Sequence, residues 1–231
     1  FQQRGGNMRG RTHLTIGLGI GAIGSISQPL EMMPVILVAS GLASLAPDLD
    51  GNSLLNKRVT KTAKMVKKNG IFIGGILIVL SFITFFLDLH FLSFIDEKWF
   101  NQQNKLLFLG CGAVILGLSL KSQETLKNFL MSILSLFLLY YAVTNELWWM
   151  VMFALYIGGA GWFAHRGLTH TMWALMYWWY MSYLLEVNTK VDGLALVSML
   201  AYLSHLVGDM LTKKGVKFLF PLTNKVFRIR I

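Results

Sequence analysis

The sequence predicts an all-α integral membrane protein: a polytopic bundle of about eight helical membrane segments, with both termini in the cytoplasm. Composition is the first reason, because 55% of the 231 residues are hydrophobic and 14% are charged, whereas a soluble domain carries about 25% charged residues. Distribution is the second, since apolar stretches recur along the whole length instead of gathering into one core. The third is the position of Lys and Arg, which fall mostly on one side of the predicted membrane.

Eight apolar segments justify the number of helices, and they lie at 14–30, 34–46, 71–87, 106–120, 126–143, 147–164, 171–185 and 194–211. Crossing a bilayer takes about 20 residues, so 34–46, 106–120 and 171–185 are short unless their flanks extend them or they re-enter. The first two segments are rich in Gly and Ser and meet between Pro29 and Pro34. We expect them to form a closely packed helical hairpin, because small residues let membrane helices approach one another.

Residues 8–231 are expected to form a single membrane-embedded domain. The leading residues 1–7, FQQRGGN, look like an added leader, which makes Met8 the expected native start. The single cysteine, Cys111, lies in an apolar run, so the sequence offers neither a disulfide framework nor a cysteine metal site.

The basic residues set the predicted orientation. If all eight segments cross and the N-terminus is cytoplasmic, 18 of the 21 Lys and Arg lie inside, while Lys98, Lys105 and Lys190 lie outside. This asymmetry accounts for the net charge of +10 without a nucleic acid partner. The loop NKRVTKTAKMVKKNG between the second and third segments has Lys61, Lys64 and Lys68 on one helical face. We expect it to lie on anionic membrane lipids as a topology anchor, at about 1 kcal/mol per basic residue. Recruitment of a substrate to this face is the alternative.

Most ionisable residues in or beside the apolar segments fall at the cytoplasmic edge under this orientation. One starts the first segment, two follow Pro47, two bracket the turn HRGLTH and two lie near the end of the last segment. They are His13, Asp48, Asp50, His165, His170, His205 and Asp209. Because Lys and Arg alone fixed the orientation, this convergence is an independent indication of function. His90 falls on the opposite side and is excluded.

The set predicts a metal site. His205 and Asp209 are four residues apart, so they project from one helical face. Imidazole and carboxylate ligands without sulfur suit divalent Zn, Mn or Fe, and we expect zinc. Four histidines and three aspartates exceed the needs of one ion and are enough for two ions bridged by a carboxylate. The competing interpretation of each single His is a polar residue at headgroup level.

Arg166 lies between two predicted ligands. Arginine forms planar, two-pronged contacts with phosphate, so Arg166 is expected either to hold a substrate phosphate or to pair with Asp48 or Asp50. Lys213 and Lys214 stand beside the site, where they would act as a stop-transfer signal or as further phosphate contacts.

The motifs GRTH, LAPDLD, HRGLTH and HLVGDMLTKKGVKFLFP resemble those of the YdjM-like family of inner-membrane, metal-dependent hydrolases, some of which are placed under LexA control. The resemblance runs from Met8 over nearly the whole chain, with all four motifs in order. Thr171 stands where the family has a serine, a departure that leaves the ligands intact. The resemblance implies a hydrolase, and the ligands it implicates are His13, Asp48, Asp50, His165, His170, His205 and Asp209.

These patterns favour a membrane-bound enzyme that hydrolyses a phosphoester of a lipid at the cytoplasmic face. Two metal ions would activate a water and neutralise charge on the phosphoryl oxygens. Asp50 would act as general base or bridge the ions, and Arg166 would hold the phosphate. A metal transporter or metal sensor is the alternative, although transport would require ligands near the bilayer midplane and the predicted ligands stop at one edge. A structural or regulatory membrane protein is the third possibility.

Overall fold

The computed structural model describes residues 10–50, 56–86, 102–163 and 166–229, and helices dominate them. The α-helices in these ranges are α1 Gly10–Gly24, α2 Met33–Leu45, α3 Asn56–Phe86, α4 Gln102–Leu120, α5 Gln123–Thr144, α6 Trp148–Ala160, α7 Met172–Thr189 and α8 Leu194–Met210. Short 3-10 turns lie at Leu30–Met32, Ala46–Asp50 and Leu168–His170. The predicted all-α fold is therefore confirmed for the ranges described.

The helices follow the predicted apolar segments, with one large difference in α3. This helix begins at Asn56 and includes the lysine-rich stretch that was expected as a loop, so the apolar segment 71–87 is the second half of a 31-residue helix. The reason is local, because the stretch before Gly70 contains Lys, Arg, Thr, Ala and Met and no proline, and most of these residues propagate a helix.

Three helical stretches in the described ranges are long and apolar enough to cross a membrane, namely Leu30–Leu49, Lys57–Thr84 and Gln123–Thr144. Three more stretches are apolar but shorter, and they lie at Lys105–Leu120, Trp148–Ala160 and Leu194–Met210. A helical membrane bundle fits these lengths. The eight crossings and the cytoplasmic position of both termini stay predictions.

The chain divides into two compact units. One consists of Phe1–Lys57 with Met131–Ile231, and the other of Arg58–Leu130. The first unit contains α1, α2, α6, α7 and α8, and the second contains α4 and nearly all of α3. Every described residue of the candidate site belongs to the first unit. The expected single domain stays a prediction.

Small residues bring α1 and α2 together. A Cβ added to Gly17 would collide with the side chain of Ser44, and one added to Gly21 would collide with Ser40. Both serines are almost completely buried, and each hydroxyl donates to a carbonyl three residues earlier in its own helix. This packing is the hairpin that the small residues predict. Gly21 pairs with Ser40 and Gly17 with Ser44, so the same antiparallel register, extended by one turn, pairs residue 13 with residue 48.

Contacts between α7 and α8 set the relative position of these two helices. The Glu186 carboxylate accepts hydrogen bonds from the backbone N–H groups of Gly193 (3.2 Å) and Ala195 (2.7 Å), where α8 begins. Anionic groups are favourable at a helix N-terminus because free N–H groups and the helix dipole meet there. Farther along, the buried Trp178 donates its indole N–H to the hydroxyl of Ser198 at 3.0 Å. These contacts hold the end of α8 beside the start of α7.

Candidate metal centre

Four helix ends converge on one buried cluster. His13 lies in the first turn of α1, Asp48 lies in the 3-10 turn after α2, and His170 ends the 3-10 turn before α7. His205 and Asp209 lie in the last turns of α8. The three histidines are at most 1% exposed and Asp209 is 3% exposed. Burying ionisable groups this completely is costly unless they are paired or bind a metal, so the cluster points to a function.

Two histidines face two carboxylates at the centre of the cluster. His170 Nε2 lies 3.4 Å from Asp209 Oδ2 and 3.8 Å from Asp48 Oδ1. His205 Nε2 lies 3.7 Å from Asp48 Oδ1 and 3.8 Å from Asp209 Oδ2. Each of the four residues offers one ligand atom, and these atoms all lie within 4.8 Å of one another. The group therefore could hold a metal ion.

The distances fit a shared ion better than direct hydrogen bonds. Two ligands at zinc distances of about 2.0–2.1 Å with a tetrahedral angle are about 3.4 Å apart, and the four nitrogen-to-oxygen separations are 3.4–3.8 Å. Direct N–H···O bonds have lengths of about 2.7–3.2 Å. Asp209 Oδ2 is also buried and has no hydrogen-bond partner among the residues described. A buried carboxylate oxygen in this position suits a cation, so the four donor atoms fit a metal ion.

Backbone and hydroxyl partners orient the two central imidazoles. The Nδ1 of His205 lies 2.7 Å from the carbonyl oxygen of Ser44, an acceptor that requires the proton on Nδ1. The lone pair of Nε2 then faces Asp48 and Asp209, which is the arrangement that a metal-ligating histidine adopts. The Nδ1 of His170 lies 3.1 Å from the hydroxyl of Thr169. Both rings thus present Nε2 to the carboxylates.

His13 completes the cluster from the side of α1. Its ring stacks on that of His205, with 3.8 Å between centroids and 21° between planes. Its Nε2 lies 3.8 Å from Asp209 Oδ1, the oxygen that does not face His170. His13 therefore reaches the other edge of the same carboxylate. The predicted number of two ions stays a prediction, because the group of four by itself fits one.

Arg166 contacts the cluster through Asp209. One terminal nitrogen donates to Asp209 Oδ1 at 2.9 Å, and the other donates to the hydroxyl of Thr212 (3.3 Å) and the carbonyl of Gly215 (3.1 Å). The backbone of Arg166 has a φ of 60°, in the left-handed region that costs a non-glycine residue about 1–3 kcal/mol. These contacts offset that strain and hold the guanidinium in place. The pairing expected for Arg166 is thus seen with Asp209, a partner that the sequence analysis did not name.

Two predicted site residues cannot be placed with the others. His165 lies outside the described residues. Asp50 ends the Ala46–Asp50 turn, but its side chain is not among those described. The roles expected for His165 as a ligand and for Asp50 as a ligand or base stay predictions.

A buried tyrosine network supports the site and was missed in the sequence. The hydroxyls of Tyr156 and Tyr202 lie 2.9 Å apart, and Tyr156 also donates to the carbonyl of Ala46 at 3.2 Å. Tyr202 donates to the carbonyl of Thr169. The network ties α6 and α8 to the two turns that carry Asp48 and His170. Its only signal in the sequence is a tyrosine one turn before His205, on the same face of an apolar helix.

Comparison with protein families gives a match over nearly the whole chain. A family model described as YdjM inner membrane protein matches residues 8–231. No curated protein and no solved structure matches the chain. Since the family match covers nearly the whole sequence and the four motifs that suggested it, the chain belongs to the YdjM inner membrane protein family.

Proposed function

We propose that this member of the YdjM inner membrane protein family is a metal-dependent hydrolase that cleaves a phosphoester of a lipid, with its site facing the cytoplasm. The observation that carries the proposal is the buried group of Asp48, His170, His205 and Asp209, whose ligand atoms lie within 4.8 Å of one another. A lipid substrate suits a site built from the ends of apolar helices, where headgroups lie.

Four residues would hold the metal, with His13 at their side. Zinc, manganese or iron fits two imidazoles and two carboxylates, and zinc is the first choice. When bound, such an ion supplies an activated water and neutralises negative charge on a phosphoryl oxygen. His205 is already oriented for this by the Ser44 carbonyl, which it contacts at 2.7 Å.

The other proposed roles belong to side chains beside the cluster. Arg166 holds Asp209 in place and adds positive charge where the phosphate would bind. The side chain of Asp48 is 20% exposed against 4% for the side chain of Asp209, so water reaches the cluster from the side of Asp48. Asp50 ends the same turn, and we assign it the role of proton acceptor.

The proposed cytoplasmic side depends on the asymmetry of charge. The helix ends that carry the cluster are the ones that the distribution of Lys and Arg assigns to the inside. The first half of α3 adds six basic residues to that side, which attracts anionic lipid to the leaflet from which the substrate would come.

The test is a comparison of metal content and phosphoester turnover in purified protein. We expect the wild type, loaded with Zn, Mn or Fe, to release phosphate or alcohol from one of a panel of phospholipids and polyprenyl phosphates. His205→Ala should insert normally, because insertion depends on the apolar residues of its helix, and should lose both metal and turnover. His90→Ala, on the predicted outer side, is the matched control and should behave as the wild type.

Two results would overturn the proposal. Equal turnover in the wild type and in His205→Ala at matched expression would end the catalytic interpretation. A metal-loaded wild type that moves the ion into proteoliposomes, and hydrolyses none of the panel, would establish the transporter instead.

A further inference from the structure

A cavity of about 470 Å³ opens beside Arg166. Its cationic wall consists of Arg166, Lys214 and Lys217, and its aromatic wall includes Trp162, Phe163 and Phe220. Binding sites for small molecules commonly have volumes of about 300–1,000 Å³. The cavity thus has the size of a headgroup site, and Arg166 joins it to the metal cluster.

The charge of this cavity is one-sided. Among the described residues that line it, three are cationic and none carries a carboxylate. In the described part of the chain, neither Lys214 nor Lys217 makes an ion pair with a carboxylate, and the Lys217 ammonium lies 6.0 Å from the centre of the Phe220 ring. An anion bound in the cavity would therefore be attracted by both ammonium groups. The positive end of a zwitterionic headgroup would be repelled by them.

The two lysines are better placed than Arg166 to bind that anion. Both terminal nitrogens of Arg166 already donate, to Asp209, to Thr212 and to the Gly215 carbonyl. This side chain is committed to holding Asp209 and the turn that follows α8. Lys214 is exposed and Lys217 is half-buried, so their ammonium groups can follow a ligand.

A second cavity, of about 360 Å³, adjoins the first and is almost entirely apolar. Phe163 and Leu168 line both cavities, and the second continues between α6 and α7 past Leu155, Gly159 and Ala174. A cationic cavity beside an apolar one, with two lining residues in common, matches an amphiphile with a charged head and a hydrocarbon chain.

We propose that these two cavities bind a lipid phosphomonoester, with its phosphate on Lys214 and Lys217 and its chain between α6 and α7. A phosphomonoester carries a charge of about −1.5 to −2 at pH 7 and has no ammonium group. The inference rests on the proposed function only for the fate of the lipid, since the binding itself needs no turnover. Lys214 and Lys217 are specificity-determining residues that select anionic over zwitterionic headgroups.

Binding of the head is tested with a phosphonate analogue of dioctanoyl phosphatidate, in which a CH₂ group replaces the ester oxygen so that turnover cannot occur. We expect the full-length protein in detergent to bind this analogue at least about tenfold more tightly than dioctanoyl phosphatidylcholine. The double variant Lys214→Gln with Lys217→Gln should lose about tenfold or more in affinity for the analogue. Lys213→Gln is the matched control, because this exposed neighbour of Lys214 does not line the cavity.

The chain cavity is tested with Gly159→Leu. A Cβ at Gly159 would lie 3.7 Å from the Phe163 ring, an ordinary contact, so the larger side chain extends into the cavity without disturbing the helix. This variant should lower the affinity for the dioctanoyl analogue about tenfold and leave the affinity for glycerol 3-phosphate unchanged. Gly110→Leu, at a position with nothing within 4 Å of an added Cβ, is its control.

The outcomes separate this inference from the proposed function. Equal affinity in the double lysine variant and in Lys213→Gln, or equal affinity for the two headgroups, would overturn the lipid site. Glycerol 3-phosphate or inorganic phosphate binding as tightly as the analogue would show a free phosphate site and would overturn the lipid assignment. Lysine-dependent binding of the analogue without turnover of any phosphoester would keep the lipid site and overturn the hydrolase.

Discussion

The helix pairs α1–α2 and α3–α4 pack in the same way and differ at their ends. In α1–α2, Gly17 lies against Ser44. In α3–α4, a Cβ added to Gly74 would lie 2.9 Å from the backbone nitrogen of Leu116. Both pairs thus approach through small residues, as membrane helices do when hydrophobic driving force between them is absent.

The ends of the two pairs carry different chemistry. The register of α1–α2 continues to His13 and Asp48, which lie in the buried cluster with His205 and Asp209. Near the corresponding end of α3–α4, the half-buried Lys67 donates its ammonium to the carbonyl of Lys121 at 3.0 Å. Close packing of glycine and serine therefore describes how helices pair in this protein. What marks a functional site is the ionisable group that the packing buries.

The largest expected effect concerns the side on which these ends lie. We expect both ends to be cytoplasmic, because their surroundings hold most of the Lys and Arg. In a Cys111→Ser background, a membrane-impermeant maleimide applied to intact cells should label Lys98→Cys and leave Lys61→Cys and Lys213→Cys unlabelled. Permeabilised cells, in which all three should react, provide the control. Labelling of position 61 but not of position 98 in intact cells would reverse the orientation.

The second prediction concerns Asp209, whose carboxylate lies close to the other residues of the cluster. Asp209→Asn keeps the shape of the side chain but removes its charge, so we expect zinc affinity to fall by more than about 100-fold. The measurement is zinc retained per chain under competition with a chelator of known affinity. Asp192→Asn, in the turn at the other end of α8, should retain zinc as the wild type does. Unchanged affinity in Asp209→Asn would exclude this residue from the ligands.

The sequence predicted much of the fold because membrane helices leave strong local signals. Runs of apolar residues located the eight helices of the described ranges, and positive charges assigned one edge to five residues that the structure brings together. His13, Asp48, His170, His205 and Asp209 lie on four separate chain segments. Their convergence could be inferred because, in a membrane protein, the depth assigned to each residue already indicates which residues lie in the same layer.

Contacts that depend on the path of a non-helical segment could not be inferred. Residues 211–229 form turns with a single bridge between Val216 and Phe227, and no periodic pattern announces this path. The bond from Arg166 to the Gly215 carbonyl and the cationic cavity with Lys217 both depend on it. The early start of α3 was missed for the opposite reason, because its lysines were interpreted as loop residues although they favour a helix.

The third prediction concerns Arg166, which joins the cluster to the turn after α8. Arg166→Lys keeps the charge but cannot contact Asp209, Thr212 and Gly215 together. We expect phosphoester turnover to fall about 30-fold, as for residues that orient metal ligands, while bound metal changes less than about twofold. Arg11→Lys, an exposed position in the first turn of α1, is the control and should keep the wild-type rate. Loss of metal in step with turnover would make Arg166 a support of the metal site alone.

The smallest expected effect concerns the two helix pairs and tests whether the close packing of α1 against α2 influences zinc affinity. A Cβ in Gly17→Ala would collide with Ser44, whose carbonyl oxygen orients His205. We expect the variant to lose about 1–3 kcal/mol of stability and up to about tenfold in zinc affinity. Gly74→Ala creates a similar clash in α3–α4 and should lose stability with zinc affinity unchanged, because the cluster belongs to the other unit. Gly19→Ala, with nothing within 4 Å of the new Cβ, should gain up to about 1 kcal/mol. Equal loss of zinc in Gly17→Ala and Gly74→Ala would mean that general destabilisation, and not the position of the Ser44 carbonyl, controls the metal.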